Sequence, residues 1–370
     1  MFYNIIEKYK NFNYDNFFSS ISEEKIKTII NNSGNKNLDD LDFLSLLSPN
    51  ISNEILEIMG EKANEISTQY FGKEIHLYAP LYISNICDNE CTYCGFKHSN
   101  KIKRRHLTLE EIEKEAIYIK ENLKVDSIVL LTGESSVNTL EYLALAIKLL
   151  KKYFSIVVIE IQPLEEHEYK YLYEAGLDGL TVYQECYDEK LYKDYHLMGE
   201  KSDYLNRLQT PELGGNSNLK YINIGALFGL GNPISESFLS GLHGKYLMKK
   251  YLNSEISISL PRIREAFNNI KAKYILNDRY FVQILLAYRI AFPTLGINIS
   301  TREESYFRDN LIPLGVTKFS GGSITEVGGY SLYHTSSEQF EISDNRSIEE
   351  VSNKIKSLGY NPIFKNWVSL

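Results

Sequence analysis

Long apolar runs are absent from this sequence. No uninterrupted stretch approaches the ~18 residues of a membrane-spanning helix, so no membrane segment is expected. A basic surplus is absent too. Lys and Arg number 40 against 48 Asp and Glu, a net charge of −8. That argues against nucleic acid as the main partner, because neutralising phosphates needs a basic surface. The one basic run, KIKRRH at 101–106, is too short to overturn it. The first residues, MFYNIIEKYKNF, lack a basic region followed by an apolar one, which predicts no secretory signal and a cytosolic location. Cysteine is scarce, four in 370 residues. Cytosolic thiols stay reduced, so no disulfide framework is expected. Repeats and flexible linkers are missing as well.

What is present is material for a core. Apolar residues make up 43% and charged residues 24%, an ordinary globular balance. A length of 370 residues allows one large domain or two modest ones. Residues 1–72 read as a helical extension. Ser22 followed by Glu23 opens a helix over 22–33, and residues 52–72 carry apolar groups at helical spacing up to Gly72, a natural stop. Beyond it, short apolar runs alternate with amphipathic stretches, the mark of βα units. The runs predict eight strands, over 75–83, 127–133, 155–163, 179–185, 221–229, 256–261, 297–301 and 315–320. Helices are predicted between them, including 107–124 with a Thr108 cap, and 138–154. Eight such alternations predict an α/β fold, a (β/α)8 barrel of the TIM type over residues 73–320. A doubly wound sheet is the alternative. Residues 321–370 read as a C-terminal extension, with a Gly-rich loop, a polar stretch over 334–360 and an apolar end at 362–370.

Three of the four cysteines share one segment, SNICDNECTYCGFKHSN at 84–100. Cys87, Cys91 and Cys94 follow the first strand, where barrel enzymes carry catalytic groups. A closed zinc site takes four ligands, usually as two close pairs. Here the local cysteines stop at three, with His98 or His106 as candidate fourth ligands for zinc. An iron–sulfur cluster normally uses four cysteines, and three leave one iron open to a substrate or cofactor. Cys186 lies far along the chain.

The spacing C-x3-C-x2-C after a first barrel strand, with Tyr93 before the last cysteine, resembles the signature of radical S-adenosylmethionine (SAM) enzymes. The resemblance implies a [4Fe–4S] cluster on Cys87, Cys91 and Cys94, its fourth iron chelated by the amino and carboxylate groups of SAM. It also implies one-electron cleavage of SAM to methionine and a deoxyadenosyl radical. Direct chelation would fix the sulfonium close to the cluster. LLTGES at 130–135 resembles the family's Gly-Gly-Glu segment, with Thr132 for the first Gly. Gly133 and Glu134 are then expected near the SAM ammonium; the plainer reading is a βα turn with an exposed acid. Glu160 sits inside an apolar run, where a carboxylate is costly unless paired or turned into the barrel mouth. It is a candidate for a ribose or amino contact. Gln184 and Glu185 are polar groups at the end of strand four. Arg207 is a candidate partner for the SAM carboxylate, since guanidinium forks suit carboxylates; an ordinary surface ion pair is the plainer reading. The glycines of INIGALFGLG at 222–231 allow close approach of a ligand such as adenine.

Longer stretches resemble the tyrosine lyases of thiamin thiazole biosynthesis, the 2-iminoacetate synthases. They are residues 91–108, 182–204, 224–232, 257–266, 299–323 and 338–351. The resemblance implies that L-tyrosine loses a hydrogen atom from its amino group and breaks at Cα–Cβ, giving 2-iminoacetate and p-cresol. It implies a thiazole synthase as protein partner and a flavodoxin- or ferredoxin-type electron donor. A zwitterionic substrate needs a cation for its carboxylate. Arg302, at the end of strand seven, is the first choice, with Ser300 and Ser320 completing the pocket and Arg262 as second choice. The alternative for Arg302 is an ion pair with Glu303 or Glu304, although neighbours on an extended strand face opposite ways. The C-terminal segment is expected to cap the substrate side and exclude water. Two departures stand out. Cys186 occupies a position where the family has Thr, and SGGSITEVGGY at 320–330 differs from the usual Ser-Ala-Gly-Ser and Pro-Gly-Gly surroundings. Rival readings are the tyrosine lyase of hydrogenase maturation, a tryptophan lyase and a non-catalytic zinc module. The first carries extra C-terminal cysteines, and no cysteine follows Cys186 here.

Overall fold

The computed structural model describes residues 1–33, 38–263, 271–333 and 338–365. The strands are β1 Glu74–Ser84, β2 Ser127–Thr132, β3 Ile156–Glu160, β4 Gly179–Thr181, β5 Tyr221–Gly225, β6 Glu255–Ser259, β7 Gly296–Ile299, β8 Lys318–Ser320 and β9 Asn361–Ile363. Each of β1 to β7 pairs in parallel with the next, and β8 pairs with β1, so the sheet closes on itself. Closure rules out the doubly wound alternative and establishes the (β/α)8 barrel.

All eight expected strands are there, and several stop early. The apolar runs continue to 163, 185 and 229, but the continuous strands end at Glu160, Thr181 and Gly225, with single parallel bridges beyond, Glu185 to Ala226 and Phe228 to Arg262. Past those points the chain still buries apolar side chains, now in irregular loops above the barrel. β9 was not expected. It lies parallel to β1, from Glu74 opposite Asn361 to His76 opposite Ile363. The apolar end read at 362–370 is therefore partly a strand, and its last five residues lie outside the described residues.

The helix starts and stop read from sequence at Ser22, Thr108 and Gly72 are present, and Ser52 and Thr139 are caps not singled out there. The Ser22 and Ser52 side chains accept from Lys25 N and Ile55 N at the starts of helices Glu23–Asn32 and Asn53–Phe71. Gly72 ends the latter at φ 62, in the region that favours glycine. Thr108 and Glu111 cap each other reciprocally at the start of helix Leu109–Tyr118, which runs on through a π-turn to Leu123. Thr139 caps helix Leu140–Leu150. Helix Asn53–Phe71 packs along helix Asp278–Ala291 and so fastens the N-terminal helices to the barrel.

After β8 the chain folds back over the barrel mouth. Buried Glu115 accepts from Tyr330 N at 3.0 Å and from Ser331 N and Oγ at 2.7 and 2.6 Å. Fully buried Arg308 pairs with Asp344. Both anchors need their partner, because a buried charge left alone is costly. No helix among the described residues is long and apolar enough to cross a membrane.

Candidate active site

Beyond Ser84 the chain makes an irregular loop that carries the three clustered cysteines, and one side chain organises it. Arg104 Nη1 donates to the carbonyls of Asn85 and Phe96 at 2.6 and 2.7 Å. Its Nη2 donates to Lys97 at 2.6 Å and to His98 and Asn100 at 3.3 Å. The basic run at 101–106 is thus in part a clamp on the cysteine loop. Glycine decides two close approaches. A Cβ on Gly133 would lie 2.3 Å from the Ile86 carbonyl oxygen, and one on Gly95 would lie 2.6 Å from the carbonyls of Glu338 and Gln339. Gly133 also donates its N–H to Ser84 O at 2.8 Å and accepts from Asn138 Nδ2 at 2.7 Å, so both its backbone groups serve the framework.

Cys87 and Cys91 are buried and Cys94 partly so. Amide donors surround them. Asn89 Nδ2 lies 3.8 Å from Cys87 Sγ, Phe96 N 3.4 Å and Gln339 Nε2 4.0 Å from Cys94 Sγ. Burial pushes all three thiols up, Cys94 to about 11. A bound metal cation is what turns such thiols into thiolates. His98 Nδ1 faces the Cys87 carbonyl at 3.3 Å, and His106 packs on Tyr142 with ring centroids 4.3 Å apart. Among the described residues no three His, Cys, Asp or Glu side chains are grouped to hold a single ion. Three thiols, two buried and one partly so, with N–H donors near the sulfurs of Cys87 and Cys94, suit an iron–sulfur cluster better than zinc. Cys186 is elsewhere, its thiol 3.4 Å from Glu236 Oε1 and 3.6 Å from the Asp188 carbonyl.

Against this loop stand two acids and two cations, alternating in space. Glu134 Oε1 pairs with Arg207 Nη1 at 2.8 Å, and Glu134 Oε2 accepts from Asn89 Nδ2 at 2.9 Å. Glu185 Oε1 pairs with Lys201 Nζ at 2.8 Å and lies 4.0 Å from Arg207 Nη2. Burial alone would raise the Glu185 carboxyl; Lys201 and Arg207 outweigh it and hold the group below its ordinary value. Glu185 has φ 67, rare for a residue with a side chain. The bend that follows is held by Glu236, which accepts from Tyr187 N at 2.7 Å. Asn89 ties the layers together, its Oδ1 accepting from Lys201 N at 2.9 Å. His196 Nδ1 faces the Tyr192 carbonyl at 2.7 Å and so carries the proton; Tyr93 OH then donates to Nε2 at 2.8 Å. Burial, then Lys201, push His196 down to about 3, which keeps it neutral. The fold thus brings Tyr93, Glu134, Glu185 and Arg207 together. Gln184 instead turns its Nε2 to the Tyr204 carbonyl at 3.5 Å. Asn89, His196 and Lys201 went unnoticed in the sequence, where no spacing marks them.

A cavity of about 120 Å³ runs down the barrel lumen. Glu160 opens onto it without a hydrogen-bond partner among the described residues. Burial, then Glu185, push its carboxyl up to about 7, with Arg302, Lys201 and Arg207 pulling the other way. Arg302 lines the same cavity, its guanidinium 3.4 Å from the centre of the Phe340 ring. It has no carboxylate partner among the described residues. Glu303, the neighbour that might have taken it, pairs with Arg262. Arg262 also holds Asp278 at 2.7 Å and the Leu276 carbonyl at 3.0 Å, and it does not line the cavity. Ser300 and Ser320 do line it. Ser320 Oγ accepts from Thr301 N at 3.1 Å, and Ser300 Oγ from Arg302 N at 3.4 Å. The C-terminal extension covers this side. Ser343 N and Asp344 N donate to the Thr301 carbonyl at 3.0 and 3.1 Å, and Tyr82 OH donates to Gln339 Oε1 at 2.8 Å.

Comparison with known proteins agrees with this geometry. Residues 81–229 match the Radical SAM superfamily, and residues 259–361 match the Biotin and Thiamin Synthesis associated domain. The chain is 38% identical to the 2-iminoacetate synthase of Escherichia coli (strain K12) over 330 residues, 89% of this chain and 87% of that one. It is 28% identical to the 3-methylornithine synthase of Methanosarcina barkeri over 208 residues, 55% and 57% of the two chains. Among solved structures, the FeFe-hydrogenase maturase HydG from Carboxydothermus hydrogenoformans superposes with a TM-score of 0.89 at 32% identity, covering 98% of this chain and 85% of that one. Methylornithine synthase shares the fold, with a TM-score of 0.73 at 21% identity over 92% and 97% of the chains. The cysteine loop on a closed barrel and an identity of this extent place the chain in the 2-iminoacetate synthase family of the radical SAM superfamily.

Proposed function

We propose that the protein is a lyase that cleaves the Cα–Cβ bond of L-tyrosine to 2-iminoacetate and p-cresol, with SAM going to methionine and 5′-deoxyadenosine. What carries the reading is the 38% identity to the E. coli synthase, whose 330 aligned residues span both the cysteine loop and Arg302. A [4Fe–4S] cluster on Cys87, Cys91 and Cys94, chelating SAM, supplies the one-electron cleavage that makes the hydrogen-abstracting radical.

The chain's own groups do the rest. Arg207 and Lys201 face the carboxylate of SAM, and Glu134 and Glu185 its ammonium, so the zwitterion enters an alternating set in which each charge keeps an opposite neighbour. Tyr93 completes that side, while Gly133 and Gln184 serve the framework around it, bonded to Ser84 and Asn138 and to Tyr204. At the other end Arg302 holds the tyrosine carboxylate, with Ser300 and Ser320 as hydroxyl donors. Arg262 supports the loop through Glu303. Glu160, titrating near 7, takes the substrate amino group and holds a proton there. Residues 1–72 serve as a helical extension, 73–320 as the catalytic barrel and 321–370 as a substrate-side cap that excludes water. A thiazole synthase consumes the product, a flavodoxin- or ferredoxin-type protein supplies the electron, and the protein works in the cytosol.

The hydrogenase-maturation reading is less suited, since these 370 residues contain no cysteine after Cys186 to hold a second cluster. The test is anaerobic reconstitution with iron and sulfide, followed by SAM, reductant and L-tyrosine. Deoxyadenosine, p-cresol and glyoxylate, the hydrolysis product of 2-iminoacetate, are expected in step. Deoxyadenosine without p-cresol would sink the substrate assignment, and turnover of L-tryptophan instead would favour the tryptophan lyase.

A further inference from the structure

Deep in the lumen the barrel is polar where such cores are ordinarily filled by branched apolar side chains. Thr181, Asn223, Ser257, Ser259 and Asn298 face the cavity from β4, β5, β6 and β7. Most of them satisfy one another. Asn223 Nδ2 donates to Ser259 Oγ at 3.0 Å, and Ser257 Oγ donates to Asn223 Oδ1 at 3.1 Å. Tyr183 OH donates to Ser259 Oγ at 3.3 Å.

Asn298 is the exception. It is 7% exposed, and its Oδ1 is buried with no hydrogen-bond partner, although Ser259 lies beside it in the sheet register. An unpaired buried amide oxygen is costly, so its position in the cavity wall calls for a donor from something that enters the cavity. Its place on β7 says which part of a substrate that is. Asn298 and Ser300 are successive lumen-facing residues, and Arg302 follows at the mouth. The four residues from Asn298 to Arg302 span at most ~14 Å of extended chain, which leaves room for an aromatic amino acid between amide and guanidinium.

We propose that Asn298, backed by Asn223, Ser259 and Tyr183, receives the para-hydroxyl of the substrate and is the residue that selects tyrosine over phenylalanine. This rests on the tyrosine reading above. Asn298 Oδ1 accepts the phenolic proton while the ring lies between the amide and Arg302. L-Phenylalanine leaves the amide unpaired, as an empty site is. Sites built to bond a hydroxyl reject analogues without one by up to ~10⁴–10⁵-fold, far beyond what a methylene-sized fit achieves.

The test uses the reconstituted enzyme and compares wild type with Asn298→Ala and Asn298→Asp. The kcat/KM for amino-acid-dependent deoxyadenosine formation is measured with L-tyrosine and L-phenylalanine, alongside L-tyrosine affinity by equilibrium dialysis. Wild type should favour tyrosine strongly. Asn298→Ala should lower the tyrosine-to-phenylalanine ratio ~10²-fold, through loss of tyrosine affinity. Asn298→Asp keeps an acceptor and should restore most of the ratio. Iron content and far-UV circular dichroism show that each variant is folded and loaded. An unchanged ratio in a folded, loaded Asn298→Ala would overturn the proposal. A wild type that makes no p-cresol would instead defeat the tyrosine reading itself, and this assignment with it.

Discussion

The two ends of the cavity treat charge in opposite ways. At the cysteine loop Glu134, Glu185, Lys201 and Arg207 are paired with one another before any ligand arrives. At the mouth of β7 and β8 Arg302 has, among the described residues, only an aromatic ring beneath it, and deeper, below Ser300, Asn298 has a buried, unpartnered oxygen. The cofactor end therefore resembles a finished framework, and the substrate end a set of open valences. A zwitterion joining a neutral charge array can be held without leaving ions stranded. A substrate that supplies the missing anion and donor gains most of its selectivity from groups that are costly to leave empty.

The largest expected effect breaks the cofactor end outright. Replacing any one of Cys87, Cys91 or Cys94 by Ala should abolish SAM cleavage, read as deoxyadenosine by chromatography; a variant that keeps it would refute the ligand assignment. Removing one member of the paired array should damage the protein even without cofactor. Lys201→Met leaves Glu185 with only its longer contact to Arg207 and is expected to destabilise the apo-protein by up to ~3 kcal/mol, measured by urea unfolding. The substrate end should answer differently. Arg302→Ala should cut kcat/KM for p-cresol formation ~10²-fold or more yet change apo stability by less than ~1 kcal/mol, because only the contact with Phe340 is lost. Equal destabilisation by the two substitutions would erase the contrast. Arg302→Lys should recover little, since an ammonium lacks the planar fork.

The smallest effect is a pH dependence. The Glu160 carboxyl is raised from 4.5 to about 7 in the folded protein, so the folded state holds its proton more tightly than the unfolded chain. The associated stability is present below about 4.5 and is lost as pH rises to about 7. Glu160→Gln should therefore be more stable relative to wild type at pH 8 than at pH 5, by up to ~3 kcal/mol. Glu236, raised to about 7 mainly by burial, leaves a residual slope in both proteins. Parallel stability–pH curves for the two would show that Glu160 is not held in the way described.

Much of the molecule is legible in local pattern. Strand and helix alternation announces the barrel, because burying one face imposes a period that short windows reveal. Ser22 and Thr108 mark helix starts because a cap bonds three residues ahead. The three cysteines declare themselves by spacing, and Arg302 by its place at a strand end. Where pairing would cease was hidden, since an apolar run reads the same whether its backbone bonds to a strand or packs in a loop above it. β9 was hidden because its three residues gain a strand's geometry only beside β1.

Which groups meet was decided by the tertiary structure alone. The sequence by itself determined the fold class, the three-cysteine loop after the first strand and the chemical kinds of side chain at the strand ends. It did not determine that Arg104 clamps that loop through five carbonyls, that Asn89 joins Cys87, Glu134 and Lys201, or that Glu303 pairs with Arg262 and leaves Arg302 open. Those contacts depend on residues far apart in the chain being brought face to face by barrel closure. Periodicity records which side of an element a residue occupies, but the partner across the lumen is fixed only when the strands take their register.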